Sequence, residues 1–214
     1  MVFGVGVMLC AAAGAATSYV VVAFADQRLR LPVGAAGRVG AAVAAALLCG
    51  IIAWRYGGQA SLHAMLWLAC LGVVLCVIDL RHRRLPDALV AALFAGGVVL
   101  LGVAAIQDGT RVAGLGWAVI ASGIVLALGL LGLLVAGAGV GRGDVTFSAA
   151  LALYLGARGW TAVALGFLLA SMLLAVAAVW VVAVRGGGRH RRLAAGPSLF
   201  LGAVGAVLAL APGG

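Results

Sequence analysis

The sequence predicts an all-α fold, a polytopic transmembrane helix bundle of about eight spans. Of its 214 residues, 66% are hydrophobic and only 9% are charged, and the mean hydropathy is +1.27. A soluble domain of this length must wet its exterior with polar groups, a demand that lipid removes. The apolar residues also fall into long runs divided by short polar stretches, and the arginines sit in those stretches.

The runs cover roughly 1–24, 37–54, 64–79, 86–106, 112–137, 144–157, 160–184 and 197–212. The first has a signal-peptide-like Ala23-Phe24-Ala25 near its end. It lacks a basic leading region, and its apolar stretch exceeds the usual secretory length, so it reads as a retained helix. The runs 64–79 and 144–157 are shorter than the ~20 residues of a straight span. Short or locally polar spans are tolerated where they face other helices or a wet cavity. The longest polar stretches, Ala25–Gly37 and Arg185–Gly196, are too short for a soluble domain. Residues 1–214 are therefore expected to form a single integral membrane domain. Recurrent Gly and Ala suit close helix approach in lipid.

All 14 basic residues are Arg and all five acidic residues are Asp. A net charge of +9 can signal nucleic-acid binding, but here the arginines orient the bundle. The loops after the first, third, fifth and seventh runs hold Arg28, Arg30, Arg38, Arg81, Arg83, Arg84, Arg142, Arg185, Arg189, Arg191 and Arg192. The other loops hold Arg55, Arg111 and Arg158. Positive residues stay cytoplasmic, so the odd loops are expected on the cytoplasmic face and both termini outside.

No cofactor or metal is expected. Cys10, Cys49, Cys70 and Cys76 lie inside apolar runs without a CxxC pair and read as small buried hydrophobes. His63, His82 and His190 are not spaced as metal ligands.

Asp26 and Asp108 stand beside arginines and read as solvated loop charges. The other three acids border apolar runs, where an ionisable group needs a reason. Asp79 closes the third run in Ile78-Asp79-Leu80-Arg81-His82-Arg83-Arg84-Leu85-Pro86-Asp87. Asp144 ends Gly141-Arg142-Gly143-Asp144. The loop charges put both on one side of the bundle, where they can meet. A close pair shares one proton, because repulsion keeps both from ionising. Such a dyad suits peptide hydrolysis, with one carboxylate activating water and the protonated partner stabilising the oxyanion. Gly141 and Gly143 are expected to lend unusual backbone angles and an open approach for an extended substrate. A flexible turn with a helix-starting Asp is the alternative. Pro86 and Asp87 read as helix-start residues, with a substrate role for Asp87 as the alternative.

These residues together resemble the type IV prepilin peptidases. Ile78-Asp79 through Pro86-Asp87 is similar to that family's "ID…hPD" segment, and Gly141–Asp144 to its GxGD motif. Ala194-Ala195-Gly196-Pro197-Ser198-Leu199-Phe200-Leu201-Gly202-Ala203 resembles the stretch before its last span. The resemblance covers about residues 60–210. It implies an aspartic endopeptidase that removes the basic leader from prepilins or pseudopilins at the cytoplasmic face of the plasma membrane. Cleavage would follow a Gly, just before the substrate's apolar helix. It carries the catalytic pair to Asp79 and Asp144 and the loop glycines to Gly141 and Gly143. Bifunctional members have an N-terminal domain with paired CxxC motifs, so a short form without methyltransferase activity is implied. Many members have Lys where Thr146 stands. A small transporter or channel with an Asp ion or proton site, and an inactive pilus or secretion scaffold, are the competing readings.

Overall fold

The computed structural model describes residues 2–28, 33–108, 112–136, 141–185 and 194–210. Eight helices follow in chain order: α1 (Val2–Arg28), α2 (Gly34–Tyr56), α3 (Leu62–His82), α4 (Asp87–Asp108), α5 (Val112–Ala136), α6 (Arg142–Gly156), α7 (Trp160–Arg185) and α8 (Gly196–Ala209). Each predicted run is a helix, and there is no strand among the described residues. Arg30, Arg111, Arg189, His190, Arg191 and Arg192 lie outside them.

Six helices are long and apolar enough to cross a membrane, namely α1 to α5 and α7. The protein is a multi-pass membrane protein. The short third run was an underestimate. α3 extends to Leu62 and His82, where polar residues continue the helix beyond the hydropathic core. The other short run stays short: α6 has 15 residues and α8 has 14. At 1.5 Å per residue these are roughly 22 and 21 Å long, below the ~30 Å hydrocarbon thickness.

The short helices are inner ones. α1 pairs with α2, α5 with α6, and α7 with α8, and α3 and α6 each touch several other helices. The apolar window of α3 is 67% buried, against 17% in α5. From Ala149 to Gly156 every residue of α6 is buried. A helix so covered has no lipid to face, which tolerates its shortness.

Hydrogen bonds to backbone carbonyls rivet the bundle. Tyr154 Oη donates to Leu93 O at 2.8 Å, Ser122 Oγ to Ala149 O at 2.8 Å, and Tyr56 Oη to Val207 O at 2.6 Å. Each satisfies a hydroxyl that would otherwise be stranded in apolar surroundings. At the same end as Tyr56, the Arg158 guanidinium lies over the Tyr56 ring, 4.9 Å from its centroid. Cys49 and Cys70 are buried free thiols with Sγ atoms 3.7 Å apart.

Asp26 is not a solvated loop charge. It lies in the last turns of α1 with its side chain 8% exposed. Its Oδ2 accepts from Arg38 Nε and Nη2 at 2.8 and 2.6 Å, and its Oδ1 accepts from Val33 N–H at 2.6 Å. The ion pair closes the α1–α2 hairpin and holds the start of α2. Asp108, the last residue of α4, is exposed as expected.

Bare backbone sets the approach of α8 to α7. A Cβ added at Gly202 would lie 2.5 Å from Ala170 N and 2.6 Å from Gly166 O, backbone atoms that cannot swing aside. We predict that Gly202→Val forces α7 and α8 apart and costs about 1–3 kcal/mol or more. A thermal melt of the purified protein in detergent should show a lowered Tm; an unchanged Tm contradicts this packing.

Candidate active site

The site is assembled from three helix ends. α3 contributes Asp79, one turn before its C-terminus. The helix stops at Arg83, whose φ of 51° is left-handed and whose N–H donates to Asp79 O at 2.8 Å. The polypeptide then turns through Leu85 into α4. Pro86 stands just before α4, and its carbonyl accepts the Val90 N–H at 3.2 Å. Asp87 opens the helix with its side chain exposed. Both act as the helix-start residues their types predict.

α6 contributes Asp144. Gly141 is its cap residue, with Asp144 N–H and Val145 N–H donating to Gly141 O at 3.1 and 3.2 Å. Asp144 is thus in the first turn and is not the cap. Thr146 Oγ1 turns back to Gly143 O at 3.0 Å.

The glycines act differently from the expectation. Gly141 has φ −79° and ψ 135°, extended backbone that any residue adopts, and Gly143 lies within α6. Neither uses an angle reserved for glycine. What matters is the missing side chain. A Cβ on Gly141 would come within 3.0 Å of Asp144 Oδ2, and one on Gly143 within 3.0 Å of Leu85 Cβ. The second contact seats the start of α6 against the α3–α4 turn, so the two motif loops touch.

α8 supplies a residue that sequence reasoning left without a role. Gly196 N–H donates to Asp79 Oδ2 at 2.9 Å across 117 residues. Asp79 is 4% exposed, so this donor answers a buried acceptor. A Cβ on Gly196 would lie 2.7 Å from the same oxygen. The only signal for it lay in the Ala194–Ala203 stretch.

Asp79 and Asp144 are brought together, within electrostatic reach of one another. Arg81 and His82 close α3 beyond the pair. The Arg81 guanidinium lies beside Gly37 of α2, where an added Cβ would be 3.3 Å from Nη2. The α1–α2 hairpin thereby flanks the same end of the bundle. Among the described residues no three His, Cys, Asp or Glu side chains cluster as metal ligands.

A helical bundle with six apolar, membrane-length helices and two acids near one another at one end of its inner helices is, by form, a multi-pass membrane protein. The model of the type IV leader peptidase family matches residues 65–180, more than half of the sequence. The protein belongs to this family and is a leader peptidase. The match takes in Asp79, Pro86, Asp87, Gly141, Gly143 and Asp144 and stops short of Gly196. Comparison with curated proteins and with solved structures gives no match.

We predict that Gly196→Val displaces the Asp79 carboxylate and lowers leader removal by about 100-fold, the scale of loss that a shift of about 1 Å brings to a site. Processing of a co-expressed prepilin, with the variant accumulating normally in membranes, checks this. Wild-type processing would show that Asp79 needs no support from α8.

Proposed function

We propose that residues 1–214 form one integral membrane domain whose Asp79 and Asp144 are an aspartic dyad. It hydrolyses the peptide bond joining the basic leader of a prepilin or pseudopilin to its apolar helix. What supports this is that Asp79 of α3 and Asp144 of α6 lie within electrostatic reach of one another beside the touching motif loops.

Two neighbouring carboxylates in poorly hydrated surroundings hold one proton between them. The Gly196 N–H on Asp79 Oδ2 favours a carboxylate there and leaves the shared proton on Asp144. Asp79 takes a proton from water as the water oxygen bonds to the scissile carbonyl carbon. Asp144 donates its hydrogen bond to the carbonyl oxygen as charge develops on it. The C–N bond then breaks, and the departing nitrogen takes up a proton from the pair. No metal or cofactor is assigned a step. Asp87 and Pro86 set the start of α4 beside the site, Gly141 keeps its approach open, and Gly143 lets the start of α6 seat against Leu85.

The excess of Arg in alternate loops supports a cytoplasmic site in the plasma membrane with both termini outside. It also matches a substrate whose leader remains in the cytoplasm.

Asp79→Asn and Asp144→Asn are each expected to reduce leader removal by about 100- to 10,000-fold, while both variants still accumulate. The assay is the size shift of a prepilin in membranes. Full activity in either variant rejects the dyad, and an intact leader with the wild-type protein favours the ion-site reading.

The pH–rate profile should be bell-shaped. Activity falls with acid as the second carboxylate gains a proton, and falls with base as the shared proton leaves. Chelators should leave the rate unchanged; a rate abolished by metal stripping contradicts the mechanism.

A further inference from the structure

α4 and α5 touch little, and both rest on α6. Between them is a cavity of about 490 Å³ with α6 as its floor. Val90 and Phe94 of α4 and Val119 and Leu126 of α5 form its walls, with Ala149 beneath. Phe94, Val119 and Leu126 are exposed, so the groove opens sideways on the flank that faces lipid. Ser122, the polar residue of the wall, already donates to Ala149 O. The body of the groove therefore asks nothing polar of an occupant.

Its rim is different. Asp87, Arg142 and Thr146 stand there. Arg142 and Thr146 bracket Asp144 in the first turn of α6. Successive helical residues turn by about 100°, so Asp144 points to the opposite side of α6 from Arg142. A peptide bound at Asp144 reaches the groove by crossing the start of α6 at Gly141, which is exposed, whereas Gly143 is packed against Leu85. Three extended residues cover about 10 Å, enough to pass from one side of a helix to the other. Gly141 raises no side chain on that path. At the rim, Arg142 offers donors and Asp87 an acceptor. The backbone carbonyl and amide groups of a peptide need both, and a bare hydrocarbon tail needs neither.

We propose that this groove seats the apolar segment of the protein substrate, the part that stays with the product after cleavage. The proposal rests on the dyad reading above. The first residues past the scissile bond cross the start of α6 at Gly141 in extended form, and the following apolar side chains lie between α4 and α5. The substrate enters laterally from the bilayer. The groove thereby makes an apolar segment, at a set distance from the cleaved bond, a determinant of specificity.

Gly123 provides the test. It lines the groove, and a Cβ there would meet nothing within 4 Å. Gly123→Phe can fill the cavity without clashing with the backbone. Gly116→Leu on the same helix also points into open space and lies outside the groove, so it serves as the control. Each purified protein is given a full prepilin and a short peptide that carries the leader and the scissile bond but no apolar segment. Gly123→Phe is expected to lower kcat/KM for the prepilin by about tenfold or more, chiefly through KM, and to lower the prepilin-to-peptide ratio accordingly. Gly116→Leu should match wild type on both. A benzophenone side chain in the first turns of the substrate's apolar segment should cross-link to α4 or α5. Prepilin cleavage by Gly123→Phe at the wild-type rate, or an equal loss on both substrates, overturns the proposal. So does loss of co-purified phospholipid with unchanged prepilin cleavage, which would make the groove a lipid seat. If the wild-type protein cleaves neither substrate, the dyad reading itself has failed.

Discussion

A carboxylate held among apolar helices must find partners, and that requirement organises the inner bundle. Asp79 has almost no exposure and accepts the Gly196 N–H. For the bond to form, the start of α8 must come within hydrogen-bonding distance of α3, and only a residue without a side chain fits there. The remaining approach of α8 is fixed further along by Gly202 against the backbone of α7. Asp144 is set by a second close approach, that of Gly143 to Leu85. Small residues thus determine which polar groups meet, while the bulk of the apolar side chains only fills the space between.

Much of this was legible in the sequence. Hydropathy marked eight helices because short stretches of charged, polar or helix-breaking residues separate the apolar runs. The ends were less clear. α3 continues through Leu80, Arg81 and His82 because a helix does not stop where its apolar stretch stops. Asp79 and Asp144 stood out because an acid bordering an apolar run is costly and therefore conspicuous.

The missed features share one cause, which is dependence on a distant neighbour. Asp26 looked like a surface charge because its partner, Arg38, lies across a hairpin that sequence spacing does not reveal. Gly141 and Gly143 suggested unusual backbone angles, a local property, whereas their use is the room they leave for Asp144 and Leu85. Gly196 carried no chemistry of its own. Its contribution is a backbone amide hydrogen, which every residue but proline possesses.

The brevity of α6 bears on how a hydrolase obtains its co-reactant. Fifteen residues leave roughly 8 Å of a typical hydrocarbon layer unfilled along this helix. Asp144 stands in its first turn, and a bilayer accommodates so short a span by thinning around it, which brings the membrane surface closer to that acid.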